Sequence, residues 1–578
     1  MPREAKEEEK KGKKGRFPKS AVYCIVAVIV ILNILYRYPV SVSHEMGSDT
    51  SFIHSLANSL VEEGYAKWYL NPLSLFGLYA LSYPSATPFL LSSISSLSGL
   101  SIEGSILLLG MIFGVIGALS AFLVSMEIFR NPKSAFLVSL LFSLAPFFVK
   151  DTTWIGSSRG YVVAVLPVLV LLLTRHMKTR DSRYIVFAGV VFFFMCTLHR
   201  MGLLAIFLFI SYAFIPSIHR ITQRVRFRLV RFDRLFRVLA LGAVLLGFLL
   251  IFLVQIYFPG YGGFDIREEY SQGSLFEGSS IHVLLLNMAV NFTGKVGLAM
   301  PFALLGFVLY SWKRPKDIQD KFMLLMVFVL IPFLSLRDYI SEFMILFFIL
   351  LASFAFISTR FLRRRRGAIG TVLIIGVLLS SLAFSWIVKD YWRGKYLTDD
   401  QIPEGTFDTS IYVKRYASGI VVTNEGLMGG RIMAVSGKPC MPLGGASIHW
   451  YSPQQLVFGL QPHENLLFIP TSTLTVRRLE YDEITFNTDE LFVATNAPNA
   501  QEDWERILYD VSVPPSAQEL MEKYQVRYVV MQKTLYPFFI SYGPRDSLFL
   551  RKMVEGGADG SSARYKIHEN DVESLWLV

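Results

Sequence analysis

Apolar residues fall in blocks along this chain, and the blocks set its architecture. They lie at about 21–36, 84–99, 103–129, 132–149, 159–175, 184–198, 201–218, 236–258, 294–312, 321–335, 340–358 and 368–388. Most approach the ~20 residues that an α-helix needs to cross a bilayer. Between the first two blocks the pattern changes. Ser43 to Gly64 opens on His44, Glu45 and Asp49, then repeats Phe52, Leu56, Leu60 and Val61 as the apolar face of an amphipathic helix. From Asp390 the blocks give way to short β-rich runs such as Ile420–Val422, Leu466–Ile469 and Leu491–Val493. Ser516–Tyr524 reads as a helix and Val526–Met531 as a buried strand.

Basic residues orient the blocks. The loops Arg130–Lys133, Arg175–Arg183, Arg220–Arg237, Lys313–Lys321 and Arg360–Arg366 are all basic. They share one side, the cytoplasmic one, only if the Ser-rich block 84–99 does not cross. That block is therefore expected to be a juxtamembrane or re-entrant helix on the outer side. The fold class is then a polytopic α-helical membrane protein of about eleven spans. Residues 1–19 form a disordered basic cytoplasmic tail, and 20–389 form the transmembrane domain with a first outer loop at 37–102. Residues 390–578 form an extracytoplasmic α/β domain. No small-residue cleavage site follows the first block, which reads as a retained span.

Composition agrees. Hydrophobic residues make up 53% of the 578 and charged residues 17%, less charge than a soluble chain carries. The net charge of +11 sits in the short loops, which fits membrane topology and not nucleic-acid binding. Cys24, Cys196 and Cys440 imply no disulfide framework. No Asp, Glu, Lys, Arg or His stands between Arg183 and His199, Arg237 and Asp265, Glu342 and Arg360, or Arg366 and Lys389. Proton-coupled transport usually needs such groups near mid-membrane, so this counts against that class.

The outer ends of the blocks are rich in ionisable groups, among them Lys150, Asp151, Asp338 and Glu342. Arg159 opens one block, Arg337 closes another, and His199-Arg200 sits on a short turn. Cations at that depth can hold a lipid phosphate through charge-assisted hydrogen bonds, or can simply snorkel to ordinary headgroups. Asp49 and Glu45 are candidates for a general base or a metal ligand. For Asp49 the competing role is a helix N-cap. Glu62 and Glu63 read as a solvated face, Asp265–Glu269 as a solvated charge run, and Asn291-Phe292-Thr293 as a short sequon match.

In this order the motifs resemble the GT-C superfamily of integral-membrane glycosyltransferases. That group includes oligosaccharyltransferase catalytic subunits, protein O-mannosyltransferases and aminoarabinose transferases. Gly47-Ser48-Asp49 follows the first span and precedes Phe52-Ile53-His54. Next come Tyr83-Pro84-Ser85-Ala86, a span ending Ala145-Pro146-Phe147, Arg159 at the head of the next, and His199 at an outer turn. The resemblance covers about residues 20–390. It implies transfer of a sugar from a polyprenyl-phosphate-linked donor to a protein, lipid or glycan acceptor at the outer face of the cell membrane. Asp49 would be the base or metal-linked acid, with Glu45 second, and a divalent ion, Mg or Mn, would be the only cofactor. His199, Arg159, Arg337 and Arg200 would bind the donor phosphate. The chain departs from the oligosaccharyltransferase pattern: Trp-Trp-Asp is absent, and Lys150-Asp151-Thr152-Thr153-Trp154 stands where a second paired-acid motif belongs. A lipid monophosphate donor carrying one sugar is the economical expectation. A lipid-linked-glycan flippase and a receptor-like membrane protein are the rivals.

Overall fold

The computed structural model describes residues 19–40, 42–64, 75–76, 84–226, 294–312, 316–330, 338–358, 367–387, 401–424, 426–438, 440–441, 474–478, 483–486, 506–507, 516–523, 526–532, 565–571 and 573–577. The tail before Lys19, the block 236–258, the charge run 265–269, the sequon 291–293, and the runs 466–469 and 491–493 lie outside the described residues.

A helical bundle fills the first two thirds of the chain. Helix α1 (Lys19–Arg37) leads into a loop and then α2 (Ser48–Glu63). Helix α3 (Ala86–Ser98) has thirteen residues, or about 20 Å of rise, short of the ~30 Å apolar thickness of a bilayer. It packs on α2 and on α4 (Ile102–Phe129). Helix α4 starts cleanly because the Ser101 hydroxyl accepts from the Gly104 N–H at 3.1 Å. Then come α5 (Pro132–Ser143), α6 (Pro146–Lys150), α7 (Arg159–Thr179), α8 (Ser182–Leu198), a 3₁₀ turn Arg200–Ala205 and α9 (Ile206–Arg226). The 3₁₀ turn Gly297–Ala299, α10 (Met300–Trp312), α11 (Ile318–Leu330), α12 (Asp338–Phe343), α13 (Ile345–Ser358) and α14 (Gly367–Trp386) complete the bundle.

Among the described residues, four helical segments are long and apolar enough to cross a membrane: Ile102–Phe129, Arg159–Thr179, Arg200–Ile218 and Gly294–Ser311. Several shorter apolar helices pack beside them. The expected single block at 132–149 is two helices. Pro146 brings no N–H and clashes with the preceding turn, so the chain breaks at Leu144–Ala145 and restarts. On α2 the buried face is Phe52, Ile53, Leu56, Ala57 and Leu60, while Val61 is exposed. Nine positions at about 100° each carry Val61 to the side opposite Phe52, so grouping it with that face was an error of register.

Helices α4 and α7 form the centre. Gly110, Gly114 and Gly117 share one face of α4, and a Cβ on any of them would collide with Thr152, Arg37 or Phe148 respectively. The glycine face lets the end of α1 and the 148–153 turn nest against α4. Arg37 is fully buried there; its Nε donates to Thr152 Oγ1 at 2.7 Å, and one Nη donates to Asn33 Oδ1 at 2.6 Å.

The remaining described elements form an α/β unit: α15 (Glu404–Tyr416), β1 (Ile420–Thr423), α16 (Gly426–Ser436), β2 (Cys440–Met441), β3 (Leu474–Arg478), β4 (Glu483–Phe486), α17 (Ala517–Lys523), β5 (Val526–Gln532), β6 (Tyr565–Glu569) and β7 (Glu573–Leu577). The main sheet has the order β2-β1-β5-β7-β6. Strand β1 runs parallel to β2 and β5, with Val422 opposite Val529; β7 runs antiparallel to β5, with Leu575 opposite Val530. Val421, Val422, Val529, Val530 and Leu575 are all fully buried. The hairpin β3–β4 is a separate antiparallel pair.

This unit rests on the bundle at both ends of α2. Near its C-terminus, Asn58 Nδ2 donates to the Ala434 carbonyl of α16 at 2.5 Å. Before its N-terminus, Met46 bridges antiparallel to Gln401 and parallel to Ile155. Met46 is 1% exposed and joins three segments distant in sequence.

Candidate active site at the end of the bundle

The loop between α1 and α2 is fixed before it reaches Asp49. Met46 N–H donates to the Trp154 carbonyl at 3.0 Å, and Ile402 N–H donates to the Glu45 carbonyl at 3.4 Å. Gly47 has φ +92°, a left-handed conformation that side-chain-bearing residues rarely adopt. The Thr50 hydroxyl donates to the Met46 carbonyl and accepts from Gly156 N–H at 2.9 Å. Helix α2 then begins at Ser48 with no side-chain cap. Asp49 is therefore a first-turn residue and not the N-cap, and its carboxylate is half-exposed.

That carboxylate faces Arg159, the first residue of α7. Arg159 Nη2 lies 3.9 Å from Asp49 Oδ2, its Nε lies 4.0 Å from Asp151 Oδ2, and its Nη1 lies 3.8 Å from Glu342 Oε1. Asp151 and Glu342 are buried; Asp151 Oδ2 accepts no hydrogen bond among the described residues. Lys295 adds a second cation: its Nζ lies 3.6 Å from Glu342 Oε1 and donates to Ser341 Oγ at 2.6 Å. The arrangement joins α2, the turn after α6, the start of α7, the segment before α10, and α12. Gly160 makes it possible, because a Cβ there would stand against the Asp151 carbonyl.

The other sequence-derived candidates are placed as follows. Glu45 is 1% exposed, and His54 Nδ1 sits 2.8 Å from both of its carboxylate oxygens. The pair ties the loop to the next turn of α2. His199 is buried between α8 and the 3₁₀ turn, edge-on to Tyr339 with ring centroids 5.4 Å apart. Its Nδ1 accepts from Met201 N–H at 3.0 Å. Burial, together with the charges of Arg159 and Arg200, pushes the His199 pKa down to about 3. His199 is therefore neutral at ordinary pH, and with Nδ1 accepting, its proton stands on Nε2. It can offer a phosphate one N–H, not a cation. Arg200 is exposed and near enough to act on His199 electrostatically. Arg337 lies outside the described residues.

Sequence reasoning grouped Asp151 and Glu342 with the other outer-face charges and did not include Lys295. The usable signal was position: each stands at the edge of an apolar block, where burial is expensive and needs a partner. What paired them was visible only in three dimensions.

A divalent ion at Asp49 does not fit this arrangement as it stands. Oxygen ligands must converge within roughly 2.0–2.6 Å of one point. The three carboxylates converge on a guanidinium, and among the described residues no three His, Cys, Asp or Glu side chains come together as a metal's ligands.

No protein-family model and no curated protein sequence matches the chain. Solved structures do. The archaeal oligosaccharyltransferase AglB from Archaeoglobus fulgidus, solved with an inhibitory peptide and a dolichol-phosphate, superposes with a TM-score of 0.53 at 11% identity. The match covers 88% of this chain and 69% of that one. ArnT from Cupriavidus metallidurans in the apo state gives a TM-score of 0.51 at 11% identity, covering 96% of this chain and 98% of that one. The mycobacterial arabinofuranosyltransferase AftD gives 0.50 at 15% identity, covering 96% of this chain and 41% of that one. These neighbours are multi-pass membrane glycosyltransferases of the superfamily that the motif order resembled. The chain has the GT-C fold.

Proposed function

We propose that the protein is a glycosyltransferase that moves a sugar from a polyprenyl-phosphate-linked donor to an acceptor hydroxyl at the extracytoplasmic face of the membrane. One observation carries the reading. On a GT-C fold, Asp49, Asp151 and Glu342 gather around Arg159, with Lys295 beside them, and Asp49 is the member of the acidic set left half-exposed. An exposed carboxylate can reach a substrate; the buried ones hold the cation in place.

The chemistry follows from those positions. The acceptor hydroxyl gives its proton to Asp49 as its oxygen attacks the anomeric carbon. The bond from that carbon to the phosphate oxygen breaks, and its electron pair leaves with the lipid phosphate. Arg159, Lys295, Arg200 and the Nε2–H of His199 would stabilise the negative charge that develops there; Arg337 is assigned the same role from the resemblance. Arg159 is pre-oriented by three acids, so it needs little reorganisation at the moment of transfer. Glu45 holds the loop through His54.

The test is transfer from a labelled polyprenyl-phosphate sugar by purified protein in lipid nanodiscs. Asp49→Asn should lower the rate by about 10²-fold or more, since general-base assistance contributes on that order. Transfer undiminished in Asp49→Asn would remove Asp49 from the mechanism. Transport of a lipid-linked glycan without transfer would favour a flippase.

A further inference from the structure

One imidazole bridges the two parts of the chain. His44 Nδ1 lies 3.1 Å from Glu103 Oε1 on α4, and its Nε2 lies 3.2 Å from Glu404 Oε2 on α15. The ring stacks on Phe407 of α15, centroids 3.8 Å apart and planes 17° from parallel. Glu103 Oε1 also accepts the Glu45 N–H at 3.0 Å, and the Trp154 indole N–H donates to the Glu103 carbonyl at 3.1 Å. The loop that ends at Asp49 is thus anchored through Glu103 to α4 and through His44 to the α/β unit.

A neutral imidazole has one N–H, so it can satisfy one of two carboxylates and must turn a lone pair to the other. Both bonds form together only in the imidazolium. Face-on stacking with Phe407 also favours a cation. The charged groups facing His44 are Glu103 from α4 and Glu404 from α15; Phe407 is uncharged, and neighbouring Glu45 is engaged by His54 of α2.

We propose that His44 is a positioning residue: as an imidazolium clamped between Glu103 and Glu404, it docks the C-terminal α/β unit on the bundle and so holds the loop that carries Asp49. Burial by itself lowers the affinity of His44 for its second proton, but the two glutamates outweigh burial and raise its pKa above 6.5. The sign is that of a group with a raised folded pKa. The docking is complete below pH 6.5 and weakens as pH rises through the folded value. The kinetic consequence rests on the reading of Asp49 as the base; the docking does not.

Hydrogen–deuterium exchange on the full chain in nanodiscs decides it. Protection factors, corrected for intrinsic exchange, are followed from pH 6 to pH 9 in peptides covering 44–50 and 401–407. Wild-type protection in both should fall together, by about tenfold, the scale of one charged hydrogen bond. His44→Gln should show the low protection already at pH 6 and no further fall, while peptides from α4 and α7 keep theirs, which reports an intact bundle. Glu404→Gln, at an exposed position, should shrink the pH-dependent fall without altering the bundle. A flat wild-type profile, or an unchanged fall in either variant, would overturn the proposal. In the transfer assay His44→Gln should lower kcat and leave the donor KM unchanged. Absence of transfer by the wild type would sink the proposed function, and the exchange profiles would still decide the docking.

Discussion

Arg159 Nη1 stands 3.8 Å from Glu342 Oε1, joining the first residue of α7 to the short helix before α13. Glu342 is buried, and the same guanidinium also faces buried Asp151. Removing the cation leaves buried Asp151 without its counter-charge, while Glu342 keeps Lys295 at 3.6 Å. Arg159→Met should therefore destabilise the protein by about 3–5 kcal/mol, the cost of stranding a buried charge. Adding Asp151→Asn should recover part of that loss. Thermal unfolding of the single and double variants in detergent measures both; equal stability of the two would show that the pair is not coupled.

His199 gives an acid-side prediction. Its folded pKa near 3 lies below the 6.5 of an unperturbed imidazole, so the unfolded chain binds a proton first as pH falls. Its stabilising contribution is whole above pH 6.5 and drains away toward pH 3. Wild-type Tm should drop more steeply than that of His199→Gln between pH 6.5 and 4.5. His44 acts in the opposite sense, above pH 6.5.

Two glycines offer a matched comparison. A Cβ at Gly160 would stand against the Asp151 carbonyl, whereas a Cβ at Gly189 on α8 meets nothing within 4 Å. Gly160→Ala should cost about 1–3 kcal/mol through overpacking and displace Asp151 from Arg159. Gly189→Ala should be neutral or stabilising by up to about 1 kcal/mol, because alanine favours a helix. Chemical-shift or melting data on the two variants would check the contrast, and equal effects would contradict it.

Glu45 and Asp49, four residues apart, should separate in function. Glu45→Ala strands buried His54 and should reduce folded yield and Tm. Transfer per folded molecule should survive it far better than it survives Asp49→Asn. A kcat for Glu45→Ala as low as that of Asp49→Asn, at equal folded fraction, would place Glu45 in the chemistry instead.

Chelation tests the acid cluster directly. Because the guanidinium occupies the focus of the three carboxylates, transfer should persist in EDTA. Loss of transfer in EDTA and recovery with Mn would mean that Arg159 withdraws to admit an ion.

The hydrophobic blocks determined by themselves a helical chain with segments long and apolar enough to cross a membrane. They also marked the short Ser-rich helix and the strand at Val526, because periodicity and run length are local properties. Motif order led to the fold class that the solved neighbours share. Arg159 could be nominated from its place at the head of a block, and Asp49 from the acidic stretch that precedes the amphipathic helix. Their meeting could not. Arg37 bonding to Thr152, Lys295 reaching Glu342, and His44 joining Glu103 to Glu404 each link residues dozens to hundreds of positions apart. The break at Pro146 is local, because a proline inside an apolar run ends the preceding helix, whereas the engagement of Glu45 by His54 depends on how the loop folds back on α2. Local patterns report which groups are costly to bury. Only the tertiary structure decides which partner lowers that cost, because ion pairs and hydrogen bonds depend on distances that sequence spacing does not contain.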